Sequence, residues 1–338
     1  MQNNDVVLYC YYPDNVSCIK EARDATESLF LYITAAGAVM LTFFGNLVVI
    51  ISISHFRQLH TPTNILILSL AVADFLVGVV VMPFMTIQSI ETCWYFGEKM
   101  CIIYTLVLSG LTTASMMNLA VIAIDRYLAI SNPMMYAIRV SVRLTCFWAV
   151  SVWLVTLSYV LTWLFLNGNP EGPKDFDPCP GDCVFVLNLT WGTIDLVFTF
   201  ILPVSVMVIL YTRIIIIAKR HVKAISKQQR VHVARKNNNT TAIKKSETKA
   251  SKTLGIVVLV FLLCWLPFYI CTILNQFLSY PVPSVVFRAF WWLAFLNSGI
   301  NPIIYGLFYP WFRKSFKLMV TFQICSHGSS LINLISEK

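Results

Sequence analysis

Seven apolar runs, each long enough to cross a bilayer, constrain this chain more than any other feature. A spanning helix needs about 20 residues. The runs Leu29–Ser54, Thr63–Ile90, Met100–Ile130, Leu144–Leu166, Leu189–Ile217, Ala250–Leu278 and Ser284–Tyr309 all meet that length. Turn and charge signals such as HFRQLHTP, SNPMMYAIR and YPVP separate them. Only 12% of the 338 residues are charged and 57% are hydrophobic, which excludes a single soluble globule. The expected fold class is all-α membrane: a seven-transmembrane helix bundle over 29–309, after an N-terminal tail over 1–28. A loop over about 218–249 is expected between the fifth and sixth spans. A short amphipathic eighth helix, marked by Trp311, Phe312, Phe316, Leu318 and Met319, opens the segment 310–338.

Charge sets the expected orientation. Lys20, Arg23, Lys99, Lys174 and Arg288 fall on the side of the N-terminal tail, and the other 20 of the 25 Lys and Arg on the opposite side. Twelve of those lie between Arg213 and Lys252. The basic side is therefore expected to be cytoplasmic, with the N-terminus outside at the plasma membrane. The basic segment reads equally as a solvated loop and as a docking surface. The polar tail is expected to be exposed, without a cleavable signal peptide, and the first span to serve as the insertion signal. Eleven of the 16 acidic residues share the outer side, including Glu171, Asp175, Asp177 and Asp182. An acidic vestibule raises the local cation concentration without naming a ligand.

Six of the ten cysteines are also expected outside: Cys10, Cys18, Cys93, Cys101, Cys179 and Cys183. An even set on the oxidising side implies disulfides. A bridge from Cys101 to Cys183 would pin the long loop over the bundle. Cys10 and Cys18 would tie the tail to Cys179 and Cys93, in a pairing the sequence leaves open. Cys146, Cys264 and Cys271 lie in apolar runs and read as packing residues. Cys325, beside the membrane, is a palmitoylation candidate, with an inert thiol as the alternative. Asn15, in Asn15-Val16-Ser17, is the expected glycosylation site. No histidine pairs with cysteine at metal-ligand spacing, so no resident cofactor is expected beyond a possible sodium ion at Asp74.

Polar residues at bilayer depth carry the functional signal, because a carboxylate there costs a few kcal/mol. Asp74 has Ser115, Asn297, Ser298 and Asn301 at similar depth, with Tyr305 one turn beyond. Such an oxygen-rich cluster holds a small cation or ordered water, or is a purely structural network. Pro302 loosens the helix beside it, making the cluster a switch candidate. Asp125, Arg126 and Tyr127 end the third span and Glu247 precedes the sixth. A guanidinium and a carboxylate at two helix ends form a latch, or a static ion pair. Trp265 stands as a plug two residues before the kinking Pro267.

Asp195 is the sharpest residue. It lies about 12 Å above Pro203 at helical rise. No Lys, Arg or His lies in the core of any span, and Lys99, Lys174 and Arg288 at the rim are the only candidate partners. A carboxylate without an internal cation is poised for an external one. Such a contact near 4 Å contributes roughly 4 kcal/mol at intermediate dielectric. Trp265, Phe268, Tyr269, Trp291 and Phe295 would add cation–π stabilisation. Structural pairing within the bundle and a neutral acid are the competing readings.

Gly45-Asn46, Leu70-Ala71-Val72-Ala73-Asp74, Asp125-Arg126-Tyr127, Trp148, Cys264-Trp265-Leu266-Pro267 and Asn301-Pro302-Ile303-Ile304-Tyr305, in order over nearly the whole chain, resemble the rhodopsin-like G-protein-coupled receptors. The stretch Asn297 to Tyr305, then Tyr309-Pro310-Trp311-Phe312, looks like the fingerprint of the trace amine-associated receptors. The tail cysteines, Thr92-Cys93-Trp94-Tyr95-Phe96-Gly97 and Lys252-Thr253-Leu254-Gly255-Ile256 fit the same family. That resemblance implies volatile or small amine ligands, often olfactory sensing, and a stimulatory G protein raising cAMP. It also implies arrestin and receptor-kinase partners, contact with membrane lipid, and no nucleic acid.

One departure matters. Receptors of this type usually carry an aspartate in the third span, where this chain has Leu108. A supporting seventh-span tyrosine is replaced by Phe295. Asp195, on the opposite wall, resembles the alternative anchor of a divergent subgroup. An amine would then bind turned round, its head toward Asp195 and Thr199, its tail against Leu108, Thr112, Trp291 and Phe295. A retinal pigment is excluded, since it needs a seventh-span lysine where Phe295 stands. An enzyme would need a nucleophile and base or a metal set. The rival reading is a same-fold receptor for a classical biogenic amine neurotransmitter or a non-amine ligand.

Overall fold

The structure, a computed structural model, describes residues 8–11, 16–166, 179–183, 189–231, 238–278 and 281–334, with side chains at 163, 218, 221–231, 238–254 and 277 outside that description. Lipid offers the backbone no partners, so each apolar run satisfies its own N–H and C=O groups as a helix. The spans are Ala25–His55, Pro62–Glu91, Gly97–Ser131, Val142–Leu166, a fifth from Leu189 to Val231, Asn238–Phe277 and Ser284–Phe308. Among the described residues, six of these pass as membrane spans on length and hydropathy alone. The seventh helix, Ser284–Phe308, does not, because Arg288, Asn297, Ser298 and Asn301 dilute its apolar character. The fifth and sixth helices run on to Val231 and back to Asn238, so most of the expected loop at 218–249 is helical backbone.

The bundle is apolar on its outside and polar within. Phe30, Ile33, Phe147, Leu154, Leu263 and Leu307 are exposed along the outer faces, where hydrocarbon covers them. Asn46, Asp74, Asn118, Asn297 and Asn301 are buried between helices. Cys264 and Cys271 are buried as expected of packing residues, whereas Cys146 is exposed on the outer face. Gly45 is where the first and seventh helices touch, since a Cβ there would stand 2.7 Å from Pro302 Cβ.

Two π-helical turns interrupt the α-helices, at Val77–Val81 and Leu196–Ile201. Each ends just before a proline, Pro83 or Pro203. A proline in a helix lacks an N–H and its ring crowds the carbonyl four residues back. The wider turn relieves that crowding: Met82 N–H donates to Val77 and Leu202 N–H to Val197, one residue further than usual. The extra residue rotates everything beyond it, including Asp195, about the helix axis.

The tail is docked, contrary to the expectation of an exposed segment. Leu8–Tyr9 and Ile19–Lys20 form an antiparallel pair. Disulfides join Cys10 to Cys93 and Cys18 to Cys179, which settles the open pairing, and Cys101 to Cys183 as expected. Tyr11 OH donates to the Trp94 carbonyl at 2.8 Å, and Cys18 N–H to that of Pro180 at 3.0 Å. Lys20 Nζ donates to Glu91 at 2.5 Å, and this carboxylate partner holds the ammonium above its ordinary pKa. Gly181, with φ of +99° and a Cβ position 2.7 Å from Cys10 Cβ, admits only glycine under this cap. Asn15 lies outside the described residues.

At the opposite end the expected amphipathic helix spans Pro310–Val320. The chain then folds back through two short 3-10 turns, Gln323–Cys325 and Ser329–Leu331. Ser329 Oγ donates to the Ile324 carbonyl at 2.6 Å and lies 2.9 Å from His55 Nε2. Gln58 Oε1 accepts from Leu334 N–H at 2.8 Å, and Leu334 is only 1% exposed. Cys325 is exposed in the first of these turns.

Candidate ligand site and switch network

Asp195 is half-buried where the fifth helix enters its π-turn, in the half nearer the disulfides. Tyr159 OH, from the fourth helix, donates to Asp195 Oδ1 at 2.7 Å. The Tyr159 ring stacks on Phe198 with centroids 4.5 Å apart. Thr199 Oγ1 donates to the Asp195 backbone carbonyl at 2.7 Å and lies 3.2 Å from Tyr269 OH. Among the described residues no cation pairs with Asp195. Arg288, one of the expected rim candidates, instead holds Glu21 at 2.7 and 2.8 Å. Lys99 is exposed and Lys174 lies outside the described residues.

Four expected aromatics gather around Trp265. Its ring centroid lies 6.1 Å from Phe268, 6.0 Å from Tyr269 and 5.8 Å from Phe295. Trp291 closes the set, 5.2 Å from Phe268 and 6.1 Å from Phe295. Phe200, not expected from sequence, stacks on Tyr269 at 3.8 Å. Leu108 and Thr112 are half-buried on the third helix, one turn apart. A carboxylate, two hydroxyls and a wall of rings suit a cation carrying an apolar tail.

Asp74 is 0% exposed and fully engaged. Ser115 Oγ and Ser298 Oγ donate to its Oδ1 at 3.1 and 2.9 Å, and Asn301 Nδ2 to its Oδ2 at 2.8 Å. Asn297 is not part of this set, contrary to expectation: its buried Nδ2 has no hydrogen-bond partner. Nor does Tyr305 join it, because its hydroxyl is likewise buried and unpartnered. Asn46 Oδ1, Asn118 Oδ1 and Asn301 Oδ1 are also buried without donors. Of these, Asn301 Oδ1 belongs to a residue bonded to Asp74, and a carboxylate with two hydroxyls and a spare amide oxygen has the composition that a small hard cation with water takes.

At the basic end Arg126 donates to Asp125 through Nε and Nη2. Thr63 and Tyr136 donate to the same carboxylate at 2.8 and 2.7 Å. Tyr127 is half-buried beside them. The Glu247 side chain lies outside the described residues, as does any latch it would form.

Residues 45–305 match the family described as 7 transmembrane receptor (rhodopsin family). Trace amine-associated receptor 13c of Danio rerio is 42% identical, over 99% of this chain and 98% of its own. Trace amine-associated receptor 4 of Mus musculus is 40% identical, over 97% and 95%. The chain belongs to the trace amine-associated receptors. Trace amine-associated receptor 7e of Mus musculus, 39% identical over 97% and 92%, supports the same placement. As a member of this family the chain is a multi-pass membrane receptor and not an enzyme.

Three residues of this trace amine-associated receptor carry contacts that sequence reading missed: Tyr159, Thr63 and Tyr136. Each is a hydroxyl in an apolar or loop stretch, with no spacing that singles it out. The signal available was one of depth, since Tyr159 lies in a fourth span otherwise poor in long polar side chains.

Proposed function

We propose that this receptor senses small amines, anchoring the ammonium on Asp195 and packing the tail against Leu108, Thr112, Trp291 and Phe295. The observation that carries this reading is a half-buried carboxylate without a cation among the described residues, beside the Thr199–Tyr269 hydroxyl pair and the Trp265 ring cluster. The names of its relatives support amine sensing as a class. Ligand contact near Trp265 biases the sixth helix outward at Pro267 and frees Arg126. The ligand must bind the open state better to shift this equilibrium. A stimulatory G protein then enters beside Asp125, Arg126, Tyr127 and Glu247 and raises cAMP, with arrestin and a receptor kinase acting later. The tail and disulfides face outward at the plasma membrane of an olfactory cell. Asn15 carries glycan and Cys325 a palmitoyl chain. Asp74, with the Ser115 and Ser298 hydroxyls and Asn301 Oδ1, holds a sodium ion in the resting state.

The test is cAMP in cells expressing wild type and Asp195→Asn at matched surface level, across mono-, di- and tertiary amines. Activation of wild type with loss in Asp195→Asn supports the anchor. Equal responses in both remove Asp195 from ligand binding. Silence of wild type to every amine moves the reading to a non-amine ligand.

A further inference from the structure

We propose that Tyr159 is a specificity-determining positioning residue that competes for Asp195 Oδ1 and so selects ammonium ligands over guanidinium and amidinium ligands. The inference rests on Asp195 being the ligand anchor. Tyr159 OH occupies Oδ1 at 2.7 Å, while Oδ2 accepts nothing among the described residues. The phenol is held in place, because its ring stacks on Phe198 at 4.5 Å, from the helix that carries Asp195.

The two cation classes use a carboxylate differently. An ammonium is a compact point charge and is served by one oxygen. A guanidinium is a flat fork with five donors, and its strong mode is bidentate, with two parallel N–H bonds to both oxygens. Tyr159 takes one of the two lone pairs on Oδ1, so the fork competes with the phenol for that oxygen, whereas Oδ2 is open to a single-point contact. Its five N–H groups have the Thr199 and Tyr269 hydroxyls as further acceptors beside Asp195, while the rings of Trp265, Phe268 and Phe295 offer none, so more donors go unpaired. A buried donor left unpaired weakens binding by more than the lost bond itself. An ammonium has fewer N–H groups to satisfy, and the Thr199 and Tyr269 hydroxyls are nearby acceptors.

The experiment pairs alkyl- and arylalkylamines with guanidines of the same carbon skeleton. Binding to purified receptor is read from ligand-dependent thermal stabilisation, which requires no G protein. Wild type is expected to prefer each amine over its guanidine by about tenfold or more. Tyr159→Phe keeps the stacked ring, removes the hydroxyl, and is expected to shrink that ratio chiefly by improving the guanidine. A gain for one ligand class is not what a merely structural role produces. Phe198→Leu, which loosens the stack, is expected to shrink it less. An unchanged ratio in Tyr159→Phe overturns the proposal while leaving the anchor intact. Undiminished amine binding in Asp195→Asn removes the anchor itself, a result the first comparison cannot mimic.

Discussion

Arg126 reaches back to Asp125, the residue just before it, placing Nε 2.9 Å and Nη2 2.5 Å from the same oxygen, Oδ2. Asp125 is 0% exposed and also takes Thr63 and Tyr136 hydroxyls, so its carboxylate is saturated with donors. Held this way, the guanidinium is engaged within its own helix rather than free for a partner. Tyr136 sits on the short helix Pro133–Arg139, outside the membrane core, and is the most easily removed of these donors. Loss of a hydrogen bond to a charged group shifts an equilibrium by about 1.5–3 kcal/mol. Tyr136→Phe is therefore expected to raise basal activity by about tenfold, provided the open state lacks that bond. Basal cAMP at matched surface expression checks it, and an unchanged baseline would show that Tyr136 does not bias the switch.

The Asp74 cluster predicts a sodium effect. Replacing sodium by a large organic cation is expected to raise agonist affinity in wild type. Asp74→Asn removes the charge while keeping a side chain of the same size, and its agonist affinity is expected to be the same in both salts. Radioligand competition in the two buffers reads the difference. A sodium response that survives in Asp74→Asn would place the ion elsewhere.

Gly45 predicts a packing cost. An added methyl would stand 2.7 Å from Pro302 Cβ and 2.8 Å from its Cγ, and neither the backbone nor the ring yields readily. Overpacking of this kind destabilises by about 1–3 kcal/mol. Gly45→Ala is expected to lower the melting temperature of the purified receptor. Gly37→Ala is the control, because its Cβ meets nothing within 4 Å. Equal melting of the two variants would show that the first and seventh helices separate without penalty.

The folded-back C-terminal segment predicts local release. Burying a leucine side chain stabilises by about 1.5–3 kcal/mol. Leu334→Asp is expected to free residues 323–334 from Gln58 and His55 without changing agonist affinity. Hydrogen exchange is the measurement: faster exchange at 323–334, with the membrane helices unchanged, is the expected pattern. Unaltered exchange there would mean the Ser329 and Gln58 hydrogen bonds hold the segment alone.

The spans were legible because hydrophobic length is a one-dimensional property. Thr63–Ile90 and Met100–Ile130 fall within three residues of the helix ends observed. The polar cluster at Asp74 was legible in part: equal depth found Ser115, Ser298 and Asn301. It also admitted Asn297, because depth does not report which way a side chain turns. The tail was misread because its polarity resembles that of an open segment, while its order comes from disulfides, the Tyr11 hydroxyl bond to the Trp94 carbonyl and the Cys18 backbone bond to Pro180. Tyr159 escaped notice for a related reason. Its partner lies 36 residues away on another helix, and the π-turn before Pro203 alters the facing of that partner in a manner helical periodicity does not register.

The stapled cap also has a schedule. Cys18 and its partner Cys179 are 161 residues apart, and Cys10 and Cys93 are 83 apart. At ribosomal rates of about 5–20 residues per second, Cys18 stays a free thiol for roughly 8–30 s after it is made. Until Cys93 is made, its nearest thiol in the sequence is Cys10, whose N–H bonds to the Cys18 carbonyl at 2.9 Å in the finished hairpin. Closure of that short loop would compete with the two native pairings. The first residues made are thus among the last to be locked, because their partners lie 83 and 161 residues further along the chain.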